Sequence, residues 1–285
     1  MMLASGKTKV VFSRSSDSIL AATRARFHLS ASGPLIFCRL VSVSTMLDET
    51  LSRLEFAAEK RLFALVTADV GCGKSTAIRK LASMLPPDKY QVLYLSDSKL
   101  TPRWFYKGLL DQLGIESKFY RGDSKRQLHQ QLEVIRGVQG KTVVTIIDEA
   151  HLLDKETLEE IRFLMNYKMD STNPMALILV GQNELWDKLK LQRYAAIRQR
   201  IDIKCELPQF DRAQTEEYIS SHLKYAQGIS EIFTEKAVDE IYRYSAGSAR
   251  AINKVTTHAL MFAAQRAKKL IDDHMIRTVI AGELP

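Results

Sequence analysis

Cysteine is scarce in this chain. Cys38, Cys72 and Cys205 are the only three in 285 residues, and no two of them form a C-x-x-C pair. That excludes a disulfide scaffold and a thiolate zinc site, and it points to a reducing, cytoplasmic setting. Long apolar runs are missing too. No uncharged apolar stretch reaches the roughly 18 residues needed to cross a bilayer, so no membrane span is expected. No internal repeat is visible. The composition is 46% hydrophobic and 26% charged, close to the usual globular mix, which excludes a wholly disordered or fibrous chain. The length suits one large domain or two small ones.

Acidic residues are in modest deficit, 33 against 41 Lys and Arg, for a net charge of +8. Such an excess permits an anionic partner without proving one. It is unevenly spread. Residues 1–45 hold Lys7, Lys9, Arg14, Arg24, Arg26 and Arg39 against Asp17 alone. This Ser-rich segment has no sustained period and reads as mostly disordered. It could be a basic arm for nucleic acid or an organelle transit peptide. The preferred reading is that it stands outside the domain, with translation starting at Met46. The arm ranks second and the transit peptide third.

From residue 46 the pattern is regular. Leu47, Leu51, Leu54 and Ala58 make one stripe of a helix over 47–60. Strands are expected at 62–67, 90–96, 142–148, 175–181 and 201–207. Between them the pattern predicts helices at 73–84, 101–113 (Thr101 as cap, Pro102 at the first position), 124–138 (capped by Ser124), 155–167 and 184–200. The stretch 115–123 reads as a loop. The run T-V-V-T-I-I-D at 142–148 is apolar on both faces, as in central parallel strands. After Pro208 only helices follow, at 212–226, 235–245, 249–267 and 272–283. The fold class is therefore α/β, with a mainly parallel five-stranded sheet over 46–208 and a small all-helical domain over 209–285.

Residues 68–75 read A-D-V-G-C-G-K-S. The phosphate-loop pattern G-x-x-x-x-G-K-[ST] has Ala68 at its first position and is otherwise intact, between a strand and a helix. Backbone N–H groups over Asp69, Val70, Gly71, Cys72, Gly73, Lys74 and Ser75 would wrap a β-phosphate, helped by the helix N-terminus. Lys74 would reach the β- and γ-phosphates, Ser75 would bind Mg²⁺, and Thr76 would lie near the α-phosphate. Cys72 is read as a small loop-filling residue in preference to a redox switch.

Downstream, an apolar strand ends in Asp148-Glu149. Asp148 would hold the Mg²⁺ water shell and Glu149 would act as general base toward water. A helicase reading of Asp148-Glu149-Ala150-His151 is set aside, because such an enzyme needs a second α/β domain. His151 is expected to be a residue of the strand-to-helix turn.

The phosphate loop, IIDEAHLL (146–153), LILVGQNEL (177–185), IRQRI (197–201) and AGSARAINK (246–254) together resemble the AAA+ ATPases. Residues 46–285 resemble specifically the ExeA/GspA-like group, which is similar to the transposition ATPases MuB, TniB and TnsC. The resemblance implies ATP and Mg²⁺ as cofactors, hydrolysis in a ring or filament of the chain's own copies, and three further site residues. Gln182, with Asn183 second, would be the polar sensor near the γ-phosphate. Arg198 or Arg200 would reach the neighbouring subunit's nucleotide. Arg250 would be the lid arginine, within Gly247-Ser248-Ala249-Arg250 where the group often has Gly-Asn-Pro-Arg. The group's aromatic-rich opening beside the adenine is not matched by residues 1–45.

The resemblance also implies a target. Secretion-type members carry a membrane span and a cell-wall-binding domain after the ATPase. The lack of such a span here is read as favouring a helper of transposition that assembles on duplex DNA and recruits a transposase. Lys99, Arg103, Lys118 and Arg121 would contact DNA phosphates, among Lys107, Lys125, Arg126 and the aromatics Phe119 and Tyr120. Trp104 and Phe105 are expected in the core. The alternative is a secretion-pathway ATPase acting on a protein or envelope partner.

Overall fold

The computed structural model describes residues 45–96, 100–165, 173–226 and 232–284. The basic segment before residue 45, with Cys38, and the proposed DNA contact Lys99 lie outside the described residues. Five strands form one sheet: β1 (Phe63–Ala68), β2 (Tyr90–Leu95), β3 (Thr142–Ile147), β4 (Ala176–Gly181) and β5 (Ile203–Leu207). Their order is β2-β3-β4-β1-β5 and every pairing is parallel. β1 and β4 are buried along their whole length, so they carry apolar residues on both faces. Alternation still sorts them. Phe63, Leu65, Leu177, Leu179, Val143 and Ile147 face one core, while Ala64, Val66, Ile178, Val180, Val144 and Ile146 face the other.

The first core is covered by α3 (Pro102–Gln112), α4 (Arg121–Gly137), α5 (Lys155–Met165) and α6 (Asn183–Lys190). The second is covered by α1 (Thr45–Lys60) and α2 (Lys74–Met84). On α1 the stripe Leu47, Leu51, Leu54 and Ala58 is buried, as its spacing predicts. A short helix, α7 (Ala195–Arg198), precedes β5. Beyond β5, the regular elements among the described residues are the helices α8 (Arg212–Tyr225), α9 (Glu235–Ser245), α10 (Ala249–Gln265) and α11 (Asp273–Glu283). They enclose their own apolar cluster, with Ile219, Ile241, Ile252, Val255 and Ile276. No helix among the described residues is long and apolar enough to cross a membrane.

The caps follow the sequence in three places. Thr101 accepts from Trp104 N, Thr234 from Ala237 N, and Asp211 closes a capping box with Gln214. They depart from it in a fourth. α4 starts at Arg121, three residues before Ser124, because the Ser124 hydroxyl donates to the Lys118 carbonyl and caps no N–H. The expected helix over 184–200 is broken. Leu191 is extended (ψ 141°) and divides α6 from a 3-10 turn at Gln192–Tyr194 and then α7. Trp104 is also not in the core. It is 54% exposed, with Lys107 Nζ 4.7 Å above its ring, while Phe105 beside it is buried.

The junction into the helical part rests on Gly247. Phe210 N donates to the Gly247 carbonyl at 3.0 Å. Gly247 has φ +79°, and a Cβ there would lie 2.0 Å from the Phe210 carbonyl oxygen. Gly247→Ala should therefore destabilise the chain by about 1–3 kcal/mol. Gly282→Ala, where a Cβ meets nothing within 4 Å, should not. Thermal melting of the two variants beside the parent checks this.

Candidate functional site

The loops that carry chemistry leave the same edge of the sheet. β4 lies between β1 and β3, with Thr67 opposite Gly181 and Ile147 opposite Leu179. The residues that follow, Asp69–Gly73, Asp148-Glu149 and Gln182, thus emerge side by side. At parallel-strand spacing the ends of β1 and β3 are roughly 10 Å apart. Such an edge, at the carboxyl ends of the strands, is where open α/β sheets bind ligands.

The loop after β1 turns at two left-handed glycines, Gly71 (φ +83°) and Gly73 (φ +88°). Gly73 is the N-cap of α2 and offers no side chain, so the first N–H groups of α2 face the loop. Lys74 is 8% exposed, and its Nζ donates to the carbonyls of Ala68 (2.8 Å) and Asp69 (3.0 Å). Burial pushes its pKa down, while Glu149, Cys72, Asp148 and Asp69 pull it back up. Ala68 needs no glycine. It is the last residue of β1, fully buried, and not among the residues with positive φ. The Cys72 thiol is half-buried and pushed upward, first by burial and then by Asp69, which disfavours a reactive thiolate.

Two acids face this loop. Asp148 is 4% exposed. Its Oδ2 accepts from the Tyr94 hydroxyl and its Oδ1 from Glu149 N, both at 2.8 Å. Burial and the Asp148 bond push the Tyr94 pKa up to about 12, so the phenol stays a donor. Glu149 has φ +53°, a left-handed conformation rare outside glycine and costly enough to mark a functional turn. His151 stands between Glu149 and Gln182, 3.5 Å from Glu149 Oε2 and 3.2 Å from Gln182 Nε2. Asn183 is turned elsewhere. Its Nδ2 donates to Asp69 Oδ1 at 2.7 Å, and Gln209 Nε2 donates to Asp69 Oδ2 at 3.2 Å. Asp69 therefore ties the loop to the turns after β4 and β5, and its carboxylate is engaged by amides.

The helical part closes the site from the other side. Arg250 N donates to the Gly71 carbonyl at 3.1 Å, and the Ser248 hydroxyl reaches the Val70 carbonyl at 3.5 Å. A Cβ on Gly71 would lie 2.5 Å from Ser248 Oγ and 2.9 Å from Arg250 Cβ. Between the two parts lies a cleft of about 540 Å³. Val70, Gly71, Cys72, Gly73, Lys74, Ser75, Thr76, Glu149, Gln182 and Arg250 line it. Ala68, Asp69, Asp148, Arg198 and Arg200 do not.

Sequence reading missed the far wall of this cleft, formed by Phe210, Gln214, Tyr218, His222 and Asn253 with Met46, Leu47, Leu207 and Pro208. Its signal was present: Gln214, Tyr218 and His222 recur every four residues and share one face of α8. The rings are packed, with centroids 5.1 Å apart for Phe210–Tyr218 and 4.1 Å for Tyr218–His222. Asn253 Nδ2 donates to the Tyr218 hydroxyl. Burial pushes the His222 pKa down, so the ring is neutral at neutral pH. Such a wall suits a flat heterocycle, and the loop suits a polyanion. Among the described residues no three His, Cys, Asp or Glu side chains could hold a metal by themselves. Ser75 and Asp148 offer two oxygens, which suits a Mg²⁺ shared with phosphate.

The two arginines lie away from the cleft. Arg198 Nη1 donates to the Leu189 and Lys190 carbonyls, the open C-terminal end of α6. Arg200 lines a hollow with Phe63 and Asp202, at the start of β1. Lys74 lies past the end of that strand, roughly 20 Å distant. Of the proposed DNA residues, Arg103 sits on α3, Arg121 opens α4 and Lys118 lies in the loop between them. Arg103 stacks on Phe119 (4.9 Å), and Arg121 pairs with Glu156 (2.7 Å) and Glu160 (3.8 Å). Lys118 is exposed.

Comparison with known proteins agrees with this architecture. Residues 57–189 match the family model described as AAA domain. The chain is 29% identical over 215 residues to General secretion pathway protein A of Aeromonas hydrophila, covering 73% of this chain and 38% of that protein. This chain thus spans well under half of that relative. Similar solved structures include Drosophila ORC bound to DNA, with TM-score 0.65, 18% identity, and 100% of this chain and 71% of that one covered. The Aeropyrum pernix ORC2 protein in its ADPNP-ADP complexes has TM-score 0.60 and 14% identity, covering 84% and 66%. The Thermotoga maritima RuvB Holliday junction branch migration motor has TM-score 0.55 and 19% identity, covering 82% and 67%. At such identities these structures speak to the fold alone. This chain has the AAA+ P-loop α/β fold, and its residues 57–189 match the AAA domain.

Proposed function

We propose that this chain binds ATP in the cleft between sheet and helical lid, hydrolyses it in an assembly of its own copies, and uses the nucleotide to move the lid. The carrying observation is that Lys74, Glu149, Gln182 and Arg250 line one cleft, with Asp148 directly behind it. The N–H groups of Val70 to Ser75 and the N-terminus of α2 receive the phosphates. Lys74 balances their charge, and the ring wall of α8 takes the base. Ser75 and Asp148 would hold Mg²⁺, which when bound would supply positive charge to the phosphate oxygens. The Tyr94 hydroxyl and Glu149 N fix the Asp148 carboxylate through one oxygen each. Glu149 accepts a proton from the attacking water. Gln182 donates to the departing phosphate, and Arg250 links its charge to the lid.

The arginine finger is assigned to Arg200. Arg198 is used within its own subunit to cap α6, whereas Arg200 sits at the opposite end of the sheet from its own cleft. It can serve only a neighbour's nucleotide, which makes hydrolysis depend on assembly.

For the target, the protein-partner reading comes first. It is supported by the relative in the general secretion pathway. It is also supported by the α3–α4 face, where the exposed rings of Trp104, Phe119 and Tyr120 stand among basic groups already paired with Glu156 and Glu160. Paired cations release few counterions on meeting DNA. The second reading, a helper that assembles on duplex DNA and recruits a transposase, is supported by the net charge of +8 and by the exposed Arg103 and Lys118.

Lys74→Ala should weaken ADP binding roughly 10- to 100-fold, read by anisotropy of a fluorescent nucleotide. Unchanged affinity would refute the loop assignment. Glu149→Gln should keep that affinity and lower turnover by about 10²–10⁴. Arg200→Ala alone should lose turnover by about 10³–10⁵ and regain part of it when mixed with Lys74→Ala subunits, whose intact Arg200 reaches its nucleotide, whereas Arg198→Ala alone should keep its turnover. Binding of random-sequence duplex DNA with an ATP analogue or ADP, across a salt series, separates the targets. The protein-partner reading expects weak binding indifferent to the nucleotide. Tight binding with the ATP analogue alone, falling steeply with salt, would establish the DNA reading instead.

A further inference from the structure

His151 sits in the 3-10 turn Ala150–Leu152 after β3, with a side chain only 8% exposed. Its ring meets two groups from different elements. Nε2 lies 3.2 Å from Gln182 Nε2, at the start of α6. Nδ1 is buried, lies 3.5 Å from Glu149 Oε2 and makes no hydrogen bond to a described residue. An amide nitrogen can only donate, so ring Nε2 presents its lone pair to Gln182. In the neutral imidazole the proton is then on Nδ1, the ring nitrogen that lies 3.5 Å from Glu149 Oε2.

The turn itself is held firmly. Lys188 Nζ donates to the His151 and Leu153 carbonyls. A Cβ on Gly181 would lie 3.2 Å from His151 N, so the end of β4 packs directly on the turn. Glu149 keeps its left-handed backbone at the same place. A buried ring is thereby wedged between the carboxylate and the amide on either side of the phosphate end of the cleft.

We propose that His151 is a positioning residue that couples Gln182 to Glu149. The proposal rests on the ATPase reading above and adds to it a link between phosphate sensing and the general base. The Gln182 amide has two N–H bonds. His151 takes one, which fixes the amide plane and aims the other at the phosphate. The His151 Nδ1–H draws Glu149 Oε2 to itself and leaves Oε1 for water. His151 keeps its proton throughout. It transfers nothing and sets the directions of the two groups that act. A shift of Gln182 on meeting phosphate therefore moves the ring and with it the carboxylate.

The test uses the full chain with Mg-ATP and reads turnover, nucleotide affinity and melting temperature. His151→Leu should lower kcat by about ten- to a hundredfold and leave nucleotide affinity within about twofold. His151→Gln, which can accept from Gln182 and donate to Glu149, should recover most of kcat. Adding Gln182→Ala to His151→Leu should cost little more than either change alone. Wild-type kcat in His151→Leu would overturn the proposal. So would equal losses in the Leu and Gln variants, or losses that multiply in the double variant. If His151→Leu melts early, His151→Gln against Gln182→Ala carries the comparison. The ATPase reading fails separately: a parent chain without turnover, or a Glu149→Gln variant that retains it, would remove that reading and the coupling with it.

Discussion

The shared direction of the five strands is the constraint on which the site depends. Because every strand pairs in parallel, every strand-to-helix loop opens at the carboxyl edge. A phosphate loop after β1 and an acidic pair after β3 are then bound to share that edge, however far apart they stand in sequence. The order β2-β3-β4-β1-β5 adds one refinement. It inserts β4 between the two and so places Gln182 between Lys74 and Glu149. An antiparallel β4 would send Gln182 to the opposite edge, where Arg200 lies. That polarity also puts Arg200, just before β5, at the end of the sheet away from the cleft.

The helical lid touches the loop through backbone, and this makes two glycines indispensable for different reasons. Gly71 turns left-handed and also leaves room for Ser248 and Arg250. Gly247 turns left-handed while the chain of Phe210 passes against it. A side chain at either place would push the lid from the sheet. Asp69 adds a third tie, since it collects amide donors from the turns after β4 and β5. Arg250 thus touches the loop directly, through its N–H on the Gly71 carbonyl.

Some of this was legible in the residues. Gly73-Lys74-Ser75 between a strand and a helix fixed the loop, and the double-faced apolar runs fixed buried parallel strands. Strand order was not legible, because periodicity reports burial and says nothing of neighbours. Ser124 misled because its hydroxyl found a carbonyl acceptor before it could cap an N–H. The break at Leu191 was invisible because leucine favours helix, yet its backbone here is extended. Trp104 was placed in the core on hydrophobicity alone, yet its neighbour Phe105 took the inward direction of that helical turn. In the candidate site, the loop and the acids were readable from spacing. The α8 face was readable from the spacing of Gln214, Tyr218 and His222 but its place against the loop was not, and neither was the His151–Gln182 contact, since both join elements distant in sequence.

The electrostatics of the cleft explain why these groups belong together. Lys74 is buried, and burial alone would favour its neutral form. Glu149, Asp148 and Asp69 oppose that push in part. The same acids would repel a phosphate. Two of the three are restrained by donors: Asp69 by the amides of Asn183 and Gln209, Asp148 by Tyr94 and a backbone N–H. Glu149 is left with only the distant His151 proton, and its side chain is 41% exposed. On the proposed reading that imbalance is the functional feature. The acid least engaged by the protein is the one left open to a water molecule, and the ring beside it decides which oxygen the water meets.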